Sequence, residues 1–199
     1  FVFIFNCITP GRAGYVYHAS TIQGLTSLNP KESTHQKSWV YATPHLGIVA
    51  AYLGGWGDFD LAQGSCSDDD HGRIYLVERY KGALEKCFKG SSGSIYTLDR
   101  SGFLDGQTSW SMEVVKPSSA NVLSEQKVSD AWVFLQQLKE EGVIDLYFYP
   151  NRPECIPSDD SDLVRKAAKW IKQGFKNTRY NFEKKHPHLI PALENALKT

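Results

Sequence analysis

The spacing of two tyrosines in a strand-then-helix pattern constrains the fold more than any other feature of this chain. Tyr41 and Tyr52 stand eleven residues apart in the stretch from Trp39 to Tyr52. Aromatic and β-branched residues predict a strand from Trp39 to Ala42, and Pro44 suits the first turn of a following helix. The apolar residues of that helix recur at helical spacing: Leu46, Val49, Ala50 and Leu53. A helix that packs back on its strand brings both rings to one cleft, where they form a slot for a flat ring.

A strand that carries a histidine lies upstream, in the segment Val16-Tyr-His-Ala-Ser20. Together with the tyrosine pair, this segment resembles the first two motifs of the histidine–tyrosine–glutamate ADP-ribosyltransferases, the clan of diphtheria toxin and the poly-ADP-ribose polymerases. The likeness consists of a strand ending in a histidine and two small residues, followed by Tyr–(ten residues)–Tyr with small residues before the second tyrosine. The resemblance implies an α+β fold with a split β-sheet core.

The resemblance also implies an NAD site, in which NAD is a co-substrate. Tyr41 and Tyr52 would sandwich nicotinamide, His18 would hydrogen-bond the adenosine ribose, and the backbone at Ala19 would hold the carboxamide. Ser20 would bond a backbone group or the substrate. The chain departs from the family at Ala19, where the family has glycine. The Cβ of alanine narrows the approach of a ligand to the backbone. It also has Val49 where the polymerases have a serine.

The transfer of ADP-ribose passes through an oxocarbenium-like ribose, which a nearby carboxylate stabilises. The resemblance implies a glutamate on a later strand, and Glu113 in Ser-Met-Glu-Val-Val is our candidate for this acid. The alternative interpretation of Glu113 is a solvated residue on a half-exposed strand. Glu85 is the rival acid, because the stretch from Gly72 to Glu85 is similar to one in the rifamycin ADP-ribosyltransferases. We interpret Glu78 as a strand-end residue that pairs with a base.

The charge and the cysteines of the chain limit the classes of function that it can have. The chain has 22 basic and 22 acidic residues, so its charge gives no reason to expect a membrane or nucleic acid as an obligate partner. Its cysteines are scattered without a Cys-x-x-Cys motif, which favours reduced thiols in a cytoplasmic protein over disulfides. The apolar segment from Phe1 to Phe5 is too short to span a bilayer, so we expect a buried strand or an ordered tail. The remnant of a signal sequence is the alternative, which leaves a secreted effector or toxin open.

The order of predicted elements divides the chain in two. Strands dominate up to about residue 125, and helices follow, which is typical of an α+β architecture. Residues 1–150 are predicted to form the ADP-ribosyltransferase-like, NAD-binding domain, and 151–199 a helical C-terminal extension outside the cleft. We also predict a short helix or turn at Thr21–Leu28, a loop at Trp56–Gly72 and a strand at Trp110–Val115. A cluster at Cys66, Asp68, Asp69, Asp70 and His71 is interpreted as a solvated loop tip rather than a metal site.

Three functions remain open at this point. The resemblance implies NAD-dependent ADP-ribosyl transfer to an acceptor that the sequence does not identify: a protein, a nucleic acid or a small molecule. A non-catalytic NAD or ADP-ribose binding module of the same fold is the first alternative, and Ala19 suits it. An NAD-dependent RNA 2′-phosphotransferase is the second alternative, although the neutral charge argues against an RNA substrate.

Overall fold

Hydrogen-bonded strands and short helices alternate along most of the chain. The computed structural model describes residues 14–32, 37–66, 73–108 and 110–198. The strands are β1 (Tyr15–Ser20), β2 (Ser27–Leu28), β3 (Lys31–Glu32), β4 (Ser38–Ala42), β5 (Leu61–Ser65), β6 (Ile74–Glu78), β7 (Gly93–Asp99), β8 (Val114–Lys116), β9 (Ala120–Val128) and β10 (Ile144–Tyr147). The helices are α1 (Leu46–Ala51), α2 (Ala83–Phe88), α3 (Ala131–Glu140), α4 (Ser161–Lys172), α5 (Thr178–Lys185) and α6 (Ile190–Lys198), with a 3₁₀ helix at Pro187–Leu189. The fold is therefore of the mixed α+β class.

The described strands form three small sheets. One has the order β1-β7-β9-β2 and is antiparallel, and a second has the order β3-β4-β8. In the third sheet, of order β10-β6-β5, β10 runs parallel to β6 and β5 runs antiparallel to it. None of the helices in the described ranges is long and apolar enough to cross a membrane.

The first two sheets meet at a backbone bridge. The amide of Tyr17 donates to the carbonyl of Thr43 at 2.8 Å, and the amide of Thr43 donates back at 3.0 Å. One residue further along β1, a side chain replaces the backbone as donor: Nδ1 of His18 donates to the carbonyl of Tyr41 at 2.8 Å. A side chain thus occupies the position where strand pairing stops, so the two sheets separate there and leave a cleft.

Several element predictions are confirmed and others are wrong. The strands at β1, β4 and β6 and the helix at α1 form as expected. Thr21–Leu28 contains bends and β2 rather than a helix, and the predicted loop at Trp56–Gly72 contains β5. β5 was missed because its sequence, Leu-Ala-Gln-Gly-Ser, has little β propensity and is a strand only through its pairing with β6. The predictions for Phe1–Phe5 and for residues 68–71 lie outside the described residues.

The interpretation of Glu78 as the partner of a base is wrong. Its side chain is buried, and its carboxylate accepts backbone hydrogen bonds from Gly82, Leu84 and Tyr149 at 3.0 to 3.2 Å. The carboxylate thereby binds amides at the start of α2 and after β10, where backbone donors have no partner of their own. Glu78 is therefore a structural acid.

The cysteine prediction is also wrong in part, because Cys66 and Cys155 form a disulfide. Their Cα atoms lie 5.6 Å apart although 89 residues separate them along the chain. Cys87 is a free, buried thiol, and burial raises its pKa to about 11. The bond joins the end of β5 to the connector before α4, a proximity that the spacing of the cysteines does not reveal.

Residues beyond 150 pack on the rest of the chain through their own apolar cluster. Phe59, which precedes β5, is buried among side chains of the last three α-helices: Leu163, Val164, Ala167, Ala168, Phe182 and Leu193. The apolar spacing from Leu163 onward predicts that Phe175 belongs to the buried face of this helix, but Phe175 follows α4 and is exposed. We call residues 151–198 the C-terminal extension.

A buried ion-pair network fastens the C-terminal extension to β6. Arg79 is 0% exposed, and its guanidinium lies 3.1 Å from the carboxylate of Asp160 and 2.6 Å from that of Asp162. Asp160 also accepts from Arg152 at 2.7 Å. Asp160 has a left-handed backbone, φ 57°, at the start of α4, and its carboxylate serves the two arginines instead of capping the helix. The position of Asp160 therefore depends on contacts outside α4.

A buried histidine makes the stability of this packing depend on pH. His186 is fully buried and donates from Nε2 to the carbonyl of Phe59 at 2.8 Å. Burial is the largest influence and lowers the pKa of His186; the bond to Phe59 and the nearby Asp160 oppose this, while His188 and Arg79 reinforce it. Because the folded pKa lies below the unfolded value of about 6.5, the unfolded chain binds more protons as the pH falls.

We therefore expect the free energy of unfolding to decrease between about pH 7.5 and about pH 5.5, and His186→Gln to reduce that decrease. Glutamine keeps an N–H donor but does not titrate. Urea unfolding at both pH values measures the change, with His188→Gln as the control, because His188 is exposed. A residual pH dependence from His18 is expected, since its pKa is also lowered, chiefly by burial. Equal pH dependence in the parent and in His186→Gln would contradict the prediction.

Candidate functional site

A cavity of about 230 Å³ opens where the first two sheets separate. Four segments wall it: β1, the end of β4, α1 with the residue that follows it, and the turn before β8. The lining includes His18, Ala19, Tyr41, Tyr52, Trp110 and Glu113. The structure thus brings together the histidine, both tyrosines and the preferred acid of the sequence analysis, which are spread over almost one hundred positions.

The hydrogen bond that His18 makes sets its tautomer. Nδ1 donates to the carbonyl of Tyr41, so in the neutral ring Nε2 is an acceptor. Burial lowers the pKa of His18 most, the bond to Tyr41 opposes this, and the charge of Lys31 adds to the lowering. His18 is therefore neutral at physiological pH, with one nitrogen left to accept a hydrogen bond.

The two tyrosines reach the cavity from different elements. Tyr41 is part-buried in β4, and its ring lies edge-on to Trp39 with the ring centroids 6.0 Å apart. Tyr52 directly follows α1 and is 50% exposed at the cavity. Burial of its hydroxyl, followed by the charge of Glu113, raises the pKa of Tyr52 to about 12, against the influence of Gln63, which lowers it. Tyr52 is therefore a neutral phenol at physiological pH, in the same cavity as Glu113.

We expected Glu113 in the middle of a strand, but it lies outside one. Trp110, Ser111 and Met112 lead into a turn, in which the amide of Glu113 donates to the carbonyl of Trp110 at 3.1 Å. β8 begins only at Val114, which pairs with Ala42 of β4. The part-buried Glu113 therefore lies just before the start of β8, beside the end of β4, and contributes to the wall of the cavity.

The remaining predicted site residues divide between the cavity and other places. Ala19 lines the cavity from β1, while the hydroxyl of Ser20 accepts from the amide of Ile22 at 3.1 Å. Ser20 is thus bonded to the backbone, one of the two roles we considered. Glu85 lies on α2, is outside the lining, and pairs with Lys89 at 2.6 Å with 53% of its side chain exposed. Of the two candidate acids, Glu113 lines this cavity and Glu85 does not.

Sequence analysis missed two contributors to this site. Trp110 lines the cavity three residues before Glu113, and Gln63 of β5 lies close enough to Tyr52 to lower the pKa of its hydroxyl. The residues from Trp110 to Val115 alternate as in a strand, which concealed the turn that carries Trp110 into the cavity. Nothing in the sequence near Gln63 indicates its contact, because that contact depends on the placement of β5.

The residues that line the cavity determine which ligands it suits. Aromatic rings make up much of its wall, and Glu113 is the only acidic residue among the described residues that line it. Aromatic faces and a carboxylate together favour a flat ligand that carries or develops positive charge. No cluster of three or more His, Cys, Asp or Glu suited to a metal ion occurs in the described part of the chain.

The chain has no match among protein-family profiles, curated proteins or solved structures. An assignment of function must therefore be argued from the geometry of the cavity and from the motif resemblance.

Proposed function

We propose that the chain binds NAD in this cavity, releases nicotinamide and transfers ADP-ribose to an acceptor. One observation carries the proposal: His18, Tyr41, Tyr52 and Glu113, which the resemblance singled out, all line the same cavity. Each comes from a different strand, helix end or turn, so their meeting does not follow from proximity along the chain.

The size of the cavity suits one end of NAD rather than the whole molecule. At about 230 Å³ it lies below the roughly 300–1,000 Å³ of typical ligand pockets. The nicotinamide ring and its ribose would occupy the cavity between Tyr41 and Tyr52. The positively charged nicotinamide ring gains from contact with aromatic faces. The rest of NAD would lie along the opening between the two sheets.

His18 and Glu113 would act on different parts of the ligand. The free Nε2 of His18 accepts a hydrogen bond from a ribose hydroxyl, because Nδ1 is already committed to Tyr41. The carboxylate of Glu113 stabilises positive charge on the ribose that is attached to nicotinamide. Its role is electrostatic, so it contributes mainly in the transition state.

The proposed reaction breaks one bond and forms another. The bond between C1′ of the ribose and the ring nitrogen of nicotinamide breaks, and its electron pair leaves with nicotinamide, which becomes neutral. A nucleophilic atom of the acceptor then bonds to C1′ and releases its proton to a base or to water. Without an acceptor, water takes that place and the products are nicotinamide and ADP-ribose.

The disulfide bears on where this reaction takes place. Cys66 and Cys155 are both exposed, and disulfides persist mainly in oxidising compartments. This favours a secreted protein over the cytoplasmic one expected from the scattered cysteines.

The proposal is tested by measuring nicotinamide release from NAD, with water or added acceptors present. Release above the uncatalysed rate is the expected result. Binding of NAD without any release under single-turnover conditions would favour a binding module, for which Ala19 was the sequence argument. Absence of NAD binding by calorimetry would refute the proposed site.

We predict that Tyr52→Ala weakens NAD binding by about tenfold or more while the protein stays folded. The variant loses a stacking partner, worth about 0.5–1.5 kcal/mol beyond the buried area, together with that area. Calorimetry measures the affinity and circular dichroism the fold. Tyr180→Ala is the control, because Tyr180 is 64% exposed on α5 and outside the cavity lining. Unchanged affinity in folded Tyr52→Ala would exclude the tyrosine sandwich.

A further inference from the structure

We propose that one face of the C-terminal extension docks on the surface of a lipid bilayer that contains anionic lipids. The face consists of Arg165, Lys169 and Lys172 on α4, with Phe175 and Lys176 in the turn that follows, and we call these five residues the α4 surface. All five are exposed. The proposed docking is independent of NAD, because none of these residues lines the cavity.

The neutral charge of the whole chain conceals a concentration of basic residues in the C-terminal extension. From Leu163 to Phe182 the sequence has six basic residues and no acidic one. A run of one sign creates a local positive potential even where the net charge of the protein is zero. Local charge, rather than the overall balance of acidic and basic residues, therefore decides what this part of the molecule attracts.

The spacing of the basic residues places them on one side of α4. Arg165, Lys169 and Lys172 follow one another at intervals of four and three residues, which is the repeat of a helix face. They extend over about 10 Å, at about 1.5 Å per residue. The other side of α4 is apolar and lies in the cluster around Phe59. Because its apolar side is already packed inside the protein, α4 presents a basic face to the solvent.

Two other basic residues of this segment are engaged within the protein. Lys166 donates to the carbonyl of Asp58 at 3.0 Å and lies over the ring of Trp170. Arg179 pairs with Glu183 and Glu194. Neither residue therefore belongs to the α4 surface.

The turn after α4 adds an exposed aromatic ring to the basic residues. Gly174 has a left-handed backbone, φ 78°, and its amide donates to the carbonyl of Ile171 at 3.0 Å, while the amide of Phe175 donates to the carbonyl of Trp170 at 3.0 Å. These two bonds end the helix in a Schellman motif. The ring of Phe175 contacts Trp170, with the centroids 5.7 Å apart, but it remains 59% exposed. The turn thus holds an apolar ring at the surface.

Lysines beside an exposed ring suit the interface of an anionic bilayer. Lysine side chains reach the charges of the headgroups, while an aromatic ring enters the boundary between headgroups and acyl chains. Each basic residue near such a surface raises the affinity about 5-fold. The four basic residues and the ring of the α4 surface therefore predict reversible adsorption.

A single-stranded nucleic acid is another polyanion that binds basic and aromatic side chains. Two observations favour the lipid surface. Arginine, whose planar guanidinium suits the phosphates of nucleic acids, occurs once among the four basic residues of the α4 surface, and the other three are lysines. The exposed disulfide between Cys66 and Cys155 favours an oxidising compartment, where a protein meets membrane surfaces, whereas nucleic acids lie mainly inside cells.

Sedimentation with vesicles tests the docking. We expect the protein, with its disulfide intact, to sediment with phosphatidylcholine vesicles that contain about one third phosphatidylserine, and to stay in solution with phosphatidylcholine alone. Raising the salt from about 0.1 M to about 0.5 M is expected to reduce the binding, because salt screens charges. Equal binding to both kinds of vesicle, or binding to neither, would overturn the proposal.

Two variants locate the binding on the α4 surface. Lys169→Gln/Lys172→Gln is expected to lower the partition into anionic vesicles about 30-fold. Phe175→Ala is expected to lower it about 5- to 10-fold, because the ring no longer leaves water. Phe175→Ala keeps every charge, so it remains informative if the double variant does not fold. Full binding by both folded variants would overturn the proposal.

Matched controls come from exposed residues of other elements. Lys81→Gln/Lys127→Gln removes two exposed lysines, and Leu123→Ala removes an apolar side chain that is 54% exposed on β9. Both controls are expected to bind anionic vesicles like the parent. Losses as large as those of the α4 surface variants would show an effect of total charge or exposed apolar area and would overturn the assignment to α4.

An oligothymidylate of about 20 nucleotides separates the lipid from a nucleic acid. We expect anionic vesicles, and not the oligonucleotide, to bind the protein in a manner that Lys169→Gln/Lys172→Gln abolishes. Binding of the oligonucleotide with no binding of the vesicles would overturn the lipid proposal in favour of a nucleic acid. NAD affinity in the same double variant is expected to equal that of the parent, so the docking and the proposed function are tested separately.

Discussion

Glu113→Gln is expected to lower the rate of nicotinamide release by about 100- to 1,000-fold while leaving NAD affinity nearly unchanged. The carboxylate opposes positive charge that develops only when the bond to nicotinamide breaks, so its loss appears in kcat rather than in binding. Glutamine keeps the size of the side chain and an acceptor oxygen. Single-turnover release of nicotinamide and calorimetry with NAD measure the two quantities separately.

Glu85→Gln is the matched control for this experiment. Glu85 pairs with Lys89 on an exposed face of α2 and does not line the cavity, so the variant is expected to remain active. Activity lost in Glu85→Gln and kept in Glu113→Gln would move the acid to α2 and strengthen the likeness to the rifamycin-modifying branch. Equal activity in both variants and the parent would remove a carboxylate from the mechanism.

Asp160→Asn is expected to lower the free energy of unfolding by about 3–5 kcal/mol, the usual cost of breaking a buried ion pair from one side. Asp160 is buried between Arg79 and Arg152, and its replacement leaves fully buried Arg79 with only the half-exposed Asp162. Asparagine also tolerates the left-handed backbone of this position, so the change tests the charge and not the conformation. Urea unfolding of the parent and the variant measures the difference.

Asp105→Asn supplies the comparison with a surface pair. Asp105 binds Arg100 at 2.6 Å but its side chain is 73% exposed, so its loss is expected to cost less than about 1 kcal/mol. A loss in Asp160→Asn as small as that in Asp105→Asn would show that the network does not hold the C-terminal extension.

Local patterns in the sequence were enough to predict the strand that carries Tyr41 and the helix that leads to Tyr52, although Tyr52 follows that helix rather than lying within it. The segment from Trp39 to Ala42 is rich in strand-forming residues, and the apolar residues after Pro44 recur at helical spacing. Both elements form, as β4 and α1. The apolar spacing after Ser129 also predicts a helix with Ser129 as its N-cap, and α3 forms with its N-cap one residue later. Asp130 is the residue that caps it, and its carboxylate accepts from the amides of Trp132 and Val133. Such signals reside within a few residues and need no tertiary contact.

Long-range proximity was the part that the sequence left open. The weakly strand-forming Leu61–Ser65 becomes β5 only beside β6, and the disulfide requires the end of β5 to meet a connector 89 residues away. From the sequence we interpret Glu78 as a strand-end residue that pairs with a base, yet it is buried and its carboxylate binds backbone amides from two other segments. Each of these features depends on partners that have no fixed separation along the chain.

The sequence by itself determined the α+β class, the strand that bears Tyr41, the helix that Tyr52 follows, and the strand that bears His18. Only the tertiary structure decided that these residues and Glu113 line one cavity, and that Glu113 does so from a turn rather than from a strand. The physical reason is that propensity and periodicity act over a few residues, whereas a cavity is defined by where strand pairing stops. Here strand pairing stops one residue beyond the Tyr17–Thr43 bridge, where the ring of His18 donates a hydrogen bond to the carbonyl of Tyr41.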